Sequence, residues 1–417
     1  MSKAFKIKSK FDNTKFRKLT KQKPICKSPA GKRATAQPVP ELAFSDDILG
    51  EFAKHIASHG LVREVGNSKA IYLTISSRVL RSPISVVIKG DSSVGKSSLL
   101  DRILKYFPKR AFLEITGASD KALLYSEDTF VNRVLIFAEK HGLSSDLLNY
   151  YVRELLSRGY IEHLTVRPGT GGHKTHKIVK PGPTGFITTT TGDLHSENET
   201  RMLALQADDS NSTTAEVMGA IAREYNGKGK PTHLSPPKRW QDFQRWFAKQ
   251  STEVIIPFSE AISDLIPPTT PRLRRAFGLV MGLVSVHALL HRMTRGSRKD
   301  CVIAQFKDYR AVRALVERVL ADNLEQSVPP TIRETVEAVA AITKSHITLD
   351  DLAAKLGINK SNASRRFRKA EDAGYLMNRG MGPTFAIALA NPMPSDGKML
   401  PTVKEVRSRF AERKRSE

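Results

Sequence analysis

An α/β class built on a parallel sheet is what the sequence predicts, and three observations predict it. Short apolar runs recur at Ile84–Ile88, Ala111–Ile115, Val134–Phe137, Phe186–Thr190 and Leu203–Gln206, the length of strands buried on both faces. Segments with helical spacing of apolar residues alternate with them. The first run leads into Gly90-Asp91-Ser92-Ser93-Val94-Gly95-Lys96-Ser97, which fits G-x-x-x-x-G-K-[ST] in full, with an apolar strand before it and a helical segment after it.

Composition sets the outer limits. A chain of 417 residues predicts two or three domains, and 40% hydrophobic content excludes a wholly disordered or fibrous protein. Cys26 and Cys301 are too few for a four-thiolate metal centre or a disulfide framework, which fits a reducing compartment. The longest apolar run, Phe277–Leu290, contains His287 and is flanked by Arg274, Arg275 and Arg292. It falls short of the ~20 residues a bilayer requires, so no membrane partner is expected. The formal charge of +25 points to a polyanion partner.

Taken in order, residues 1–40 form a basic arm. Met1–Arg33 holds twelve Lys and Arg against one acid, Asp12, a run that binds polyanions by displacing their counterions. Residues 41–81 carry helical spacing (Ile48, Phe52, Ile56, then Ile71, Ile75, Val79) and predict a helical collar. Residues 82–226 are the α/β core, with a β-hairpin inserted at 160–180. A break rich in Gly, Pro and Lys follows. Residues 227–326 then read as a helical lid, 327–392 as a helix-rich terminal module and 393–417 as a basic tail.

The glycine loop carries the clearest chemistry. Gly90 and Gly95 let the backbone curl so that N–H groups of residues 90–98, Asp91, Ser92, Ser93, Val94 and Ser98 included, cradle a β-phosphate at a helix N-terminus. Lys96 reaches the β and γ phosphates and the Ser97 hydroxyl ligates Mg²⁺, so the cofactors expected are ATP and Mg²⁺. Val134–Phe137 runs into Ala138 and Glu139 as a Walker B strand does. Glu139 takes the water-activating place, while Ala138 stands where an Asp usually assists the metal, leaving Ser97, solvent or an acid such as Asp193 to do so. Gly185–Thr191 ends in hydroxyls, and Thr190 and Thr191 are equal candidates for orienting the attacking water.

Arg201 follows Glu197-Asn198-Glu199-Thr200 just before a strand. In a ring-forming ATPase it points into the neighbour's nucleotide site; the competing reading is a helical ion pair with Glu197. The hairpin tip gathers Arg167, His173, Lys174 and Lys177, suited to gripping phosphates.

Helices at Thr331–Ile342, Leu349–Gly357 and Lys360–Gly374, followed by strand, turn and strand to Leu389, spell a winged helix-turn-helix. Its third helix holds Lys360, Ser361, Arg365, Arg366, Arg368 and Lys369, with Phe367 toward the core and Arg379 on the wing.

The order of phosphate loop, Walker B strand, helix, inserted hairpin, sensor strand and Arg resembles AAA+ ATPases of the pre-sensor-1 β-hairpin branch, which includes minichromosome-maintenance helicases. Ser82–Gly90, Gly185–Thr190 and above all Leu194–Met202 resemble replicative helicases and primase-helicase proteins of bacterial mobile elements and prophages, over roughly residues 45–320. The resemblance implies a homo-hexameric ATPase that translocates on DNA, single- and double-stranded, in the bacterial cytoplasm. It also implies that Pro271–Phe277 opens a sensor 2 helix, with Arg274 the best fit beside Arg272 and Arg275. Helicase or helicase loader is the expected role. Two alternatives stand beside it: an AAA+ transcriptional regulator, whose Gly-Ala-Phe-Thr-Gly-Ala loop is absent here, and a non-enzymatic origin-binding initiator, compatible with Ala138.

Overall fold

The computed structural model describes residues 38–119, 121–137, 145–169, 172–192, 194, 196–226, 237–268, 272–325, 328–380, 386–390 and 399–416. The apolar runs become β1 (Val86–Lys89), β2 (Phe112–Ile115), β3 (Arg133–Phe137), β6 (Thr184–Thr190) and β7 (Leu203–Gln206). All pair in parallel in the order β2-β3-β6-β1-β7. Lys89 at the end of β1 registers with Thr190 and Gln206, and Phe137 at the end of β3 registers with Thr188. The carboxyl ends therefore share one edge, the edge at which open α/β sheets bind ligands. The inserted hairpin, β4 (Tyr160–Gly169) and β5 (Gly172–Pro181), stands apart as a two-stranded ribbon.

The two faces of the sheet are covered separately, as the period of two along each strand requires. Val86 and Ile88 face a core shared with α1 (Ile48–Ser58), α2 (Val65–Ser76), α3 (Lys96–Leu104) and helices of the 227–326 region, including Phe52, Ile71, Ile103, Phe243 and Leu283. Val87, Leu135, Phe137 and Phe186 face a second core. It also contains Leu123 and Leu124 of α4 (Ala122–Tyr125) and Tyr151 and Leu155 of α5 (Asp146–Arg158). The collar and lid expected as separate units thus share one core with the sheet. At its centre Arg78, 2% exposed, donates to Gln244 Oε1 (2.9 Å) and to the carbonyls of Gln244 and Ile75. Burial pulls its pKa down to about 10, which leaves it charged at neutral pH.

After β6 the chain forms α6 (Ser196–Glu199), β7 and α7 (Asn211–Tyr225), then α8 (Lys238–Phe247), β8 (Val254–Ile255), α9 (Ser259–Leu265) and α10 (Arg272–Leu290). Helix α10 is long and apolar enough to cross a membrane by length and composition alone. Its Leu283, Val284, Val286 and Leu290 are buried in the sheet's core, and a Cβ at Gly282 would lie 3.4 Å from Ile84 Cδ1, so it serves as a core helix. Short strands β9 (Ser297–Arg298) and β10 (Cys301–Ile303) join β8 in a small sheet the sequence does not announce, and α11 (Phe306–Glu325) follows.

Buried His287, His291 and Asp308 meet where α10, α11 and the collar join. Asp308 is bonded to Arg295 (Nη2, 2.6 Å), His287 Nδ1 (2.8 Å) and the Gln305 N–H, while His291 Nε2 accepts from the Ile48 N–H. A cation placed there would confront the Arg295 guanidinium, so the trio reads as a structural latch.

The terminal module comprises α12 (Pro330–Ala340), α13 (Leu349–Leu356), α14 (Lys360–Asp372), β11 (Leu376–Asn378) and β12 (Ile387–Leu389) around its own core of Val336, Leu352, Phe367 and Leu376. Thr348 and Asp351 form a capping box for α13. The expected basic tail differs: from residue 399 the chain returns to the lid. Leu400 and Val406 are buried there, and α15 (Val403–Ser416) packs on α9 through Arg409 and Arg413 to Asp264 (2.9 and 3.0 Å).

Candidate nucleotide and nucleic-acid site

The glycine loop leaves β1 at the shared carboxyl edge and ends at the N-terminus of α3. Gly90 has φ +151°, and a Cβ there would come within 3.1 Å of Ala207 Cβ; Gly95 has φ +90°. Both positions select glycine for conformation, and the first also for close approach to Ala207, the residue after β7. Ser93 is left-handed as well (φ +70°), so hand alternates over residues 92–95, the backbone pattern from which anion cradles are built. Asp91, Ser92, Ser93, Ser97 and Ser98 are exposed and Val94 is half-buried. Lys96 Nζ donates to the carbonyls of Gly90 (2.7 Å) and Asp91 (2.6 Å), which holds its ammonium against the loop. The cradle, the cation and the helix N-terminus fit a polyphosphate. The exposed Ser97 hydroxyl is a donor of the kind Mg²⁺ takes. Glu139, Ala138 and Asp193 lie outside the described residues, as does the basic arm to residue 37.

Thr190 and Thr191, equal on sequence, differ in place. Thr190 is buried; its hydroxyl donates to the Gly192 carbonyl (2.8 Å) and accepts from the Gly192 N–H (3.1 Å), so it builds the turn. Thr191 is exposed one residue beyond the Lys89–Thr190 register, level with Gly90.

Arg201 does not make the helical ion pair with Glu197. Its guanidinium bonds the Glu197 carbonyl and Ser157 Oγ (2.8 Å), while the Glu197 carboxylate holds Arg153. Burial and then the nearby Arg275 depress its proton affinity. Arg275 donates to Thr200 Oγ1 (2.6 Å), and Arg272 and Arg275 share a cavity with Arg201, whereas Arg274 lies outside that lining. The structure thus sets Arg275 rather than Arg274 beside Arg201. Lys89 and its partner Glu199 (2.5 Å) were missed on sequence; a Lys directly before Gly90 was the available signal.

The hairpin is fixed at its base by Ile161, by Tyr151 Oη to His163 Nδ1 (3.0 Å), and by Lys180, which lies 4.7 Å from the Phe130 ring centre and bonds the Ser126 carbonyl. Toward the tip His173 and Lys174 are exposed, and Arg167 registers opposite Lys174. Lys177 is engaged with Glu162 (2.7 Å) and is not a free cation. On α14, Ser361, Arg365, Arg368 and Lys369 make one exposed stripe opposite the buried Ala363, Phe367 and Ala370. Lys360 and Arg366 turn from that stripe to Asp350 (2.8 Å) and Glu334 (2.9 Å), and Arg379 is exposed beside β11.

Residues 59–233 match a family described as the MTBMA_p00010 P-loop domain, less than half of the chain. No curated protein matches it. Among solved structures, a candidate ATPase of Cytophaga hutchinsonii is 11% identical, with TM-score 0.39 over 65% of this chain and 86% of that one. A full-length MCM homolog of Methanopyrus kandleri is 14% identical, with TM-score 0.43 over 68% of this chain; this chain spans 62% of its length. The matched P-loop domain and the parallel sheet agree on an α/β P-loop NTPase core.

Proposed function

We propose that this chain is an ATP-hydrolysing, DNA-binding motor of the AAA+ type that works as a ring, a replicative helicase or helicase loader of a phage or other mobile element. The observation that carries the reading is the strand order. β6 lies between the phosphate-loop strand and the Walker B-like strand, which brings the loop, Thr191 and the end of β3 to one edge. Lys96 would neutralise the β and γ phosphates and the loop N–H groups would fix them. Ser97 would hold Mg²⁺, whose charge eases the departure of the β-phosphate oxygen. Glu139 is assigned as the base that takes the proton from the attacking water, and Thr191 as the hydroxyl that orients that water. Arg201 is assigned to a neighbour's transition state, with Arg275 at its side.

DNA contact is assigned to Arg167, His173 and Lys174 on the hairpin, and to Ser361, Arg365, Arg368, Lys369 and Arg379 on a module read as a winged helix. Among the described residues no ion pair engages Lys174, Arg365, Arg368, Lys369 or Arg379. The test is strand displacement from a forked DNA: wild type with ATP should release the strand and Lys96→Ala should not. ATP hydrolysis without release would contradict the helicase half of the proposal and leave the loader.

A further inference from the structure

A cavity of about 840 Å³ lies against β1, β7 and α10, and none of residues 90–98 lines it. That volume falls within the range of ligand pockets. Its polar wall holds four cations, Lys89, Arg201, Arg272 and Arg275, against one acid, Glu199. Lys89 already engages that acid at 2.5 Å. Among the described residues no carboxylate forms an ion pair with Arg201, Arg272 or Arg275; Arg201 and Arg275 are held instead by hydroxyls and a carbonyl. Like charges gathered in one recess repel one another; Arg272 and Arg275 are exposed, while the half-buried Arg201 registers both its burial and the Arg275 charge. Such a recess gains most from an anion with several oxygens, which guanidinium forks bind in pairs. The lining also has apolar members, Ile84, Leu156, Met202 and Leu279 among them, which offer a heterocyclic base a dry surface.

We infer that this cavity is a second site for a nucleoside polyphosphate, filled within one chain and separate from the phosphate loop. Arg201, Arg272 and Arg275 take the phosphates, and the apolar lining of Ile84, Leu156, Met202 and Leu279 takes the base. Since Glu199 is engaged with Lys89, the site has no free carboxylate among its described lining and binds without Mg²⁺. An occupant bonded to Arg201 withdraws that guanidinium from a neighbour's site and so restrains hydrolysis. This last consequence rests on the trans role proposed above; the binding does not.

The test is calorimetric titration of ADP, in EDTA, into the full chain carrying Lys96→Ala. One ADP should bind per chain. Adding Arg272→Ala with Arg275→Ala should weaken it at least tenfold. Gly278→Leu should weaken it comparably with no charge removed: Gly278 lines the cavity, and a Cβ there meets nothing within 4 Å, so the fold should melt unchanged. Absence of saturable binding to the Lys96→Ala chain would overturn the inference, as would binding indifferent to both cavity variants. Binding that appears only when wild-type chain is mixed in would place the polyphosphate on a neighbour's loop and overturn it equally. The phosphate-loop reading is judged separately, by whether Lys96→Ala abolishes hydrolysis.

Discussion

At the scale of single residues, equivalence on sequence dissolves into distinct jobs once partners are known. Thr191→Ala should lower ATP turnover tenfold or more and leave the melting temperature unchanged. Thr190→Ala should lower the melting temperature, since two turn hydrogen bonds of about 1 kcal/mol each are lost. Paired turnover and melting measurements check this, and the reverse pattern would exchange the two roles. Gln244 is the second case. It accepts from Arg78 and donates to Tyr72 Oη and Ser76 Oγ, both at 2.9 Å. Gln244→Leu removes one of the three hydrogen bonds of the buried Arg78 guanidinium, together with the bonds to Tyr72 and Ser76, and should cost about 3 kcal/mol in denaturant unfolding, far more than an exposed substitution. The phosphate loop was legible because its chemistry is contiguous. The choice between Arg274 and Arg275 was not, because the rotation that sets Arg275 beside Thr200 comes from how α10 packs on the sheet.

At the scale of elements, the ion pairs separate cations that can grip phosphate from those already engaged. Lys174→Ala on the hairpin and Arg368→Ala on α14 should each weaken DNA binding and reduce the slope of log K against log salt by about one, the mark of a lost phosphate contact. Lys177→Ala and Arg366→Ala should change that slope little, because Glu162 and Glu334 hold those side chains. Salt-dependent binding titrations of the four variants decide it. Element boundaries show where sequence suffices. Strand β7 runs Leu203–Gln206 as the apolar run predicts, and the hairpin extends the predicted strands by only a few residues toward its turn. The small sheet of β8, β9 and β10 was illegible because strands of two or three residues have no period to read. Helix α15 was read as tail because its composition is charged; what docks it is Leu400, Val406 and the pairing of Arg409 and Arg413 with Asp264, 145 and 149 residues away in the chain.

At the scale of the whole molecule, collar, sheet and lid share a core and a latch, so the latch governs acid stability. Burial first, then the neighbouring His287, pushes His291 down to about 3, and it stays neutral while an unfolded histidine protonates near 6.5. A depressed histidine contributes stability above its unfolded pKa and loses it as pH falls, so the chain should weaken from about pH 6.5 toward 3, by up to about 1.4 kcal/mol per pH unit. Asp308 is also depressed, by the bonds from His287 and Arg295 that outweigh its burial, and its contribution is lost at still lower pH. Unfolding curves at stepped pH should show the first loss in wild type and a flatter response in His291→Gln. A flat wild-type profile between pH 6.5 and 4 would contradict the latch.

The same shared core ties the lid, and through α15 the return from the terminal module, to the sheet that carries the phosphate loop, an arrangement the proposed coupling of hydrolysis to DNA would use. The most direct test of that coupling is the ATP hydrolysis rate of the full chain with and without single-stranded DNA. The account predicts hydrolysis that DNA accelerates and that Lys96→Ala abolishes in both conditions. Hydrolysis unaffected by DNA, or retained by Lys96→Ala, would contradict it.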